Sequence, residues 1–193
     1  MNVVLPNRLT VDEFLAWAVR QPREAGKFEL LNGAVVVQHA QRYGHYKVKV
    51  AMHRALEAAI RAAGVPYYAT GEGPTVRIDT STAFEPDALV APLPEPDWDS
   101  LEIGNPVVVV EVLSPSTARM DVAVKLKRYF ELASVQHYLI LDPDGLTITH
   151  HERGSGDALE TRVLSEGVVH LDPPGLVIEI KDVFGPDASS AAG

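Results

Sequence analysis

The chain contains no cysteine. Disulfides and thiolate metal sites are therefore excluded, and a reducing compartment such as the cytoplasm is permitted. No apolar run approaches ~18 residues, so no segment reads as a membrane-spanning helix. The first ten residues lack a basic stretch followed by an apolar core, so no secretory signal is expected. Positive charge is scarce: 17 Lys and Arg stand against 26 Asp and Glu, a net charge of −9. That argues against a large surface coating nucleic acid. It leaves room for a local basic strip beside a bound cation. Internal repeats are also missing.

What remains is an ordinary globular composition, with 46% apolar residues in 193. One domain over residues 1–184 is expected, long enough to bury a core unaided. Residues 185–193 carry no apolar pattern and are expected to form a disordered tail.

Thr10 and Glu13 have the spacing of a capping box, predicting a helix to about Val19 that stops before Pro22. Asn32-Gly33 between two short apolar runs predicts a β-hairpin. Glu29 falls on its first strand, where spacing alone favours an outward-facing residue. Residues 42–63 predict a long helix ended by Gly64, with Val48, Met52, Leu56 and Ala59 on one stripe and His45 near its start. A strand is expected over 75–78 and another over 84–90, the latter carrying Pro86 and Asp87 at an edge or bulge.

The most informative stretch is 107–129. Val107–Leu113 is a continuous apolar run, as expected of a strand covered on both faces, yet Glu111 interrupts it. A carboxylate there is costly unless something pairs with it. A Ser-Pro-Ser-Thr break over 114–117 follows, then a helix from about Met120 to Ala133. Lys125 borders that helix's apolar face, so its stem can lie on the sheet while its amine reaches a carboxylate. Another buried strand is expected over 136–142, and short strands over 147–151, 159–164, 168–171 and 177–180. His150 and His151 are adjacent on a strand, point to opposite faces and read as structural. These elements give α/β or α+β in one domain.

If the strands carrying Asp87 and Glu111 are neighbours, the two carboxylates meet, and such a pair needs a cation or a proton. Hard oxygen donors suit Mg²⁺ or Mn²⁺. A lysine beside them can orient a water or stabilise developing charge, which together make a kit for phosphodiester hydrolysis. Bland alternatives stand beside each assignment: a structural ion pair for Glu111, a turn acid for Asp87, a snorkelling lysine for Lys125 and a polar surface residue for His45. Arg119, Lys127 and Arg128 could contact phosphates, and a solvated helix face explains them equally well.

Pro86-Asp87, then Glu111 in V-V-E-V-L-S-P-S-T, then Asp121, Lys125 and Tyr129 resemble the Uma-two family, whose members resemble PD-(D/E)XK, or restriction-endonuclease-like, nucleases. The resemblance covers most of the chain. It runs from the Phe28–Gly33 hairpin through His45 and Tyr138-Leu-Ile-Leu-Asp-Pro143 to Gly175–Ile180, with V-E-V-L-S-P-S-T as its specific part. It implies a three-layer fold with a central four-stranded mixed sheet flanked by helices. It also implies an endonuclease acting on nucleic acid, with DNA expected. Asp87, Glu111 and the Val112 carbonyl would hold the metal, and Glu29 and His45 would assist. In the usual motif the lysine lies two residues beyond the second acid. Leu113 stands there, and the resemblance moves the role to Lys125. Cutting both strands of a duplex would call for a homodimer. A nuclease-fold module that binds nucleic acid or protein without catalysis, or hydrolysis of another phosphoester, are the alternatives.

Overall fold

The computed structural model describes residues 8–22, 26–38, 42–113, 119–156 and 158–185. The Ser-Pro-Ser-Thr break and the expected tail beyond Gly185 lie outside the described residues, as do the side chains of Arg119 and Asp121.

Helix α1 (Val11–Ala18) starts at Thr10, whose hydroxyl accepts from the Glu13 N–H while the Glu13 carboxylate accepts from the Thr10 N–H, completing the capping box. Strands β1 (Lys27–Leu31) and β2 (Ala34–Gln38) pair antiparallel. Their turn places Asn32 and Gly33 at φ 51° and 80°, the double positive φ of a type I′ hairpin. Gly33 is required here for a second reason, since a Cβ would stand 2.9 Å from the Arg8 Cβ. Helix α2 (Tyr43–Ala63) ends on Gly64 at φ 64°, as its sequence predicts.

Then follow β3 (Tyr67–Gly71), β4 (Val76–Arg77), β5 (Ala83–Phe84) and β6 (Ala88–Pro92). The single strand expected over 84–90 is two strands in two sheets. Pro86 has no N–H to offer a ladder, and the chain crosses from one sheet to the other around it. Beyond lie β7 (Val108–Val112), α3 (Arg119–Tyr129), β8 (His137–Asp142), β9 (Thr147–Arg153), β10 (Leu159–Leu164), β11 (Val168–Leu171), β12 (Leu176–Glu179) and α4 (Ile180–Phe184). Helix α3 ends earlier than the apolar periodicity suggests. The Arg153 guanidinium takes the Phe130, Leu132 and Val135 carbonyls at 2.9 Å, which secures the non-helical turn after it.

The central sheet is mixed and runs β10-β9-β8-β7-β6-β3, with β7 and β8 parallel and every other pair antiparallel. It has six strands where four were expected, because the β9–β10 hairpin extends the sheet beyond β8, β7, β6 and β3. A smaller sheet, β2-β1-β5-β4, and the β11–β12 hairpin complete the fold.

Alternation along β7 divides the core. Val108, Val110 and Val112 pack against Met52 and Leu56 of α2, together with β11, β12 and α4. Val109 faces the other way, towards Tyr129, Tyr138, Phe84 and Val76. With a period of two, Glu111 projects to this second side, beneath α3 and the smaller sheet. Among the described residues, no helix is long and apolar enough to cross a membrane.

Candidate functional site

The site forms where β6 begins and β7 ends. These strands are antiparallel neighbours, so Asp87, just before β6, lies beside the last residues of β7. The Asp87 N–H donates to the Val110 carbonyl at 2.9 Å, and the Val112 N–H donates to Asp87 Oδ2 at 2.7 Å. The Pro86 kink thus delivers a carboxylate onto the end of the neighbouring strand.

Three further elements converge on this corner. From α3, Lys125 Nζ donates to Glu111 Oε1 at 3.0 Å and to Glu29 Oε1 at 2.9 Å. One turn on, Tyr129 Oη donates to the same Glu111 oxygen at 2.9 Å. From α2, Lys49 Nζ lies 2.6 Å from Asp87 Oδ1 and 2.7 Å from Glu72. From β1, Lys27 Nζ reaches Asp87 Oδ1 at 3.3 Å. His45 Nε2 lies 2.5 Å from the Val112 carbonyl oxygen, which makes the ring nitrogen the donor.

Sequence spacing placed Glu29 outward, but only 2% of it is exposed. The smaller sheet folds over α3, and Glu29 meets Lys125 between them while also accepting the Glu85 N–H at 3.1 Å. His45 is buried as well. Burial holds its imidazole below the ordinary value, outweighing the hydrogen bond to Val112 that favours protonation. Lys125 is buried and reaches Glu111, one of the two strand acids, together with Glu29; the ion pairs to the other, Asp87, come from Lys27 and Lys49.

The electrostatics split the two strand acids. Burial lifts the Glu111 carboxyl to about 7, with Lys125 opposing and Asp87 and Glu29 adding to the rise. Burial also acts to raise Asp87, but Lys27 and Lys49 outweigh it and hold that carboxyl below its usual range. Burial lowers the tendency of Lys27 to carry charge, yet the surrounding carboxylates, Asp87 foremost, raise its pKa on balance. Glu85 is lifted to about 7 by burial, with Lys27 opposing.

Sequence reading missed Lys27, Lys49 and Glu85. Lys27 opens the first strand of the hairpin, and Lys49 follows His45 by four residues, one helical turn on. That spacing was the available signal, since residues i and i+4 share a helix face. Of the three cations proposed for phosphates, Lys127 is exposed on α3. The Arg119 side chain lies outside the described residues. Arg128 bonds Asn32, Thr82, Asp79 and Glu131, which fastens α3 to the β1–β2 turn. His150 and His151 do face apart: His150 Nε2 lies 2.9 Å from His137 Nδ1, and His151 Nδ1 lies 2.8 Å from Thr161 Oγ1.

A mixed sheet flanked by helices, with acids at adjoining strand ends and a lysine from the following helix bonded to the second acid, has the form of the restriction-endonuclease-like proteins. The family model described as "Uma2: Putative restriction endonuclease" matches residues 11–182, and the chain belongs to that family. Among solved structures it resembles "a putative nuclease belonging to DUF820 from Anabaena variabilis ATCC 29413". The two share 19% identity at a TM-score of 0.71, covering 91% of this chain and 97% of the other, a likeness of fold. No curated protein matches the chain.

Restriction-endonuclease-like proteins usually use divalent metals. Among the described residues there is no group of three His, Cys, Asp or Glu side chains that could hold one. The donor chemistry nevertheless fits a hard cation: the corner offers two carboxylates, Asp87 and Glu111, and the Val112 carbonyl, whose second lone pair is not needed by His45.

Proposed function

We propose that this chain is a metal-dependent endonuclease hydrolysing phosphodiester bonds in nucleic acid, DNA foremost. The observation that carries the reading is the meeting of Asp87, Glu111 and Lys125 at one corner of the central sheet, with Lys125 Nζ 3.0 Å from Glu111 Oε1. Asp87, Glu111 and the Val112 carbonyl would hold Mg²⁺ or Mn²⁺. A bound cation of this kind supplies Lewis-acid stabilisation of the phosphate and lowers the pKa of a water.

The chain's own residues supply the rest. Lys125, tied to Glu111 and Glu29, orients the attacking water or stabilises charge on the phosphorus oxygens. Glu29 holds that ammonium in place. His45 fixes the Val112 carbonyl through its N–H. Lys49 sets the Asp87 carboxylate from the opposite side. Cutting both strands of a duplex would take two copies, which sedimentation would reveal as a dimer.

A second reading is favoured by the lysines themselves. Lys27, Lys49 and Lys125 together with the Val112 N–H and Tyr129 already compensate Asp87 and Glu111 within the protein. Such a corner would also suit a binding module that keeps the fold without catalysis.

The test is cleavage of plasmid, single-stranded and structured DNA, and of RNA, with Mg²⁺ or Mn²⁺. Loss of cleavage in Asp87→Ala, Glu111→Ala and Lys125→Ala supports the nuclease. Cleavage that persists in all three refutes the site. Thermal melting adds an independent readout: Mn²⁺ should raise the Tm of wild type and not of Glu111→Ala. No Tm shift and no cleavage by wild type favours the binding module.

A further inference from the structure

The basic residues of this acidic chain are unevenly placed. Residues 42–54, RYGHYKVKVAMHR, hold Arg42, Lys47, Lys49 and Arg54 with His45 and His53, and no Asp or Glu, in a chain of net charge −9. They form the first half of α2, the half that delivers His45 and Lys49 to the candidate site. Arg42, Lys47 and Arg54 are exposed.

Two tyrosines share that stretch and do not join the core. Tyr43 is 75% exposed and Tyr46 is 55% exposed. Their rings lie against each other, with centroids 6.5 Å apart and planes tilted by 30°. Tyr43, Tyr46 and Lys49 stand three residues apart in turn, so they are successive neighbours along one side of the helix. The row leads from open solvent to the Lys49 ammonium, 2.6 Å from Asp87. Single exposed apolar residues are commonplace, but a ringed pair flanked by cations and continuous with a buried acid–lysine corner is a different feature.

We propose that the Tyr43–Tyr46 face of α2, with Arg42 and Lys47 beside it, is a stacking platform for single-stranded nucleic acid that guides the strand towards the Asp87–Glu111 corner. The proposal rests on the nuclease reading for its direction, and it specifies the substrate as unpaired. Aromatic faces stack on bases whose own faces are free, which a duplex hides. A single strand also needs few cations, in keeping with the overall negative charge that disfavours broad duplex coating.

The test is fluorescence anisotropy in EDTA, without cleavage, using the full chain. The probes are a labelled oligothymidylate of about a dozen nucleotides, the matching oligouridylate and a duplex of the same length. Wild type should bind one or both single strands more tightly than the duplex. Tyr43→Ala/Tyr46→Ala should weaken single-strand binding by roughly tenfold or more with an unchanged Tm, and Tyr43→Phe/Tyr46→Phe should restore it. Preference for DNA or for RNA would show in the two single-stranded arms. Equal affinity in the alanine variant, tighter duplex binding, or no binding by wild type overturns the platform. Metal-dependent cleavage alongside any of these would leave the nuclease standing without it. Tyrosine-dependent binding without cleavage of any substrate would support the platform and remove the nuclease.

Discussion

Lys125→Met is the most searching perturbation of this corner. The side chain is 3% exposed, and its ammonium stands between Glu29 and Glu111 at 2.9 and 3.0 Å. Methionine keeps much of the stem and removes the charge. Breaking a buried pair by deleting one partner leaves an uncompensated charge and costs about 3–5 kcal/mol. For a domain of this size each kcal/mol lowers Tm by roughly 2–4 °C, so a loss of roughly 6–20 °C is expected at pH 8.

The loss should depend on pH. Burial lifts the folded Glu111 carboxyl from its ordinary 4.5 to about 7, so between those values the folded state binds more protons than the unfolded state. Stability from this group is therefore present at acid pH and lost as pH rises towards 7, a difference of about 3 kcal/mol. At pH 5 Glu111 is already neutral in the folded protein, and removing its ammonium partner costs less. Chemical denaturation in EDTA at pH 8 and pH 5 measures this. The buried histidines, all held below their ordinary value by burial, add a pH dependence of their own, but they are common to both proteins and largely cancel in the difference between them. An equal loss at both pH values, or none at pH 8, refutes the reasoning. A triple variant, Glu29→Gln/Lys125→Met/Glu111→Gln, should recover part of the loss, since replacing the whole group is milder than breaking it.

Other perturbations test neighbouring arguments. Lys49→Met removes the nearer of the two ammoniums on Asp87, so the folded protein should lose stability while Mn²⁺ gives a larger Tm increase than in wild type, read by thermal melting. Gly33→Ala meets both a φ of +80° and the Arg8 Cβ at 2.9 Å, and urea denaturation should show a loss above about 1 kcal/mol. Met52→Ala opens a cavity under α2 at a fully buried position and should cost about 2–5 kcal/mol by the same measurement. His150, held down to about 4 by burial and by His137, should contribute stability above pH 6.5 that is lost as pH falls; His150→Gln should weaken that acid dependence.

Much of this protein is legible along the chain because it rests on local rules. The Thr10–Glu13 cap, the Asn32-Gly33 turn and the Gly64 stop follow from backbone conformations that neighbouring residues decide. Glu111 stood out because a charge inside a valine run needs compensation wherever the strand lies. The α2 stripe of Val48, Met52, Leu56 and Ala59 followed from helical period and does face the core.

Long-range placement was another matter. Nothing local in Glu29 reports that the smaller sheet closes over α3 and drives its carboxylate onto Lys125, 96 residues away. Lys27 and Lys49 have ordinary surface-lysine contexts in sequence, and they became site residues only because the start of β1 and the first half of α2 both pass beside Asp87. Pro86 suggests an edge or bulge within one strand over 84–90; that the chain divides there between two sheets depended on partners elsewhere. Local conformation is set by each residue and its neighbours. The compensation of buried charge is set by which distant groups the packed layers bring within about 3 Å, and that is where the candidate site was decided.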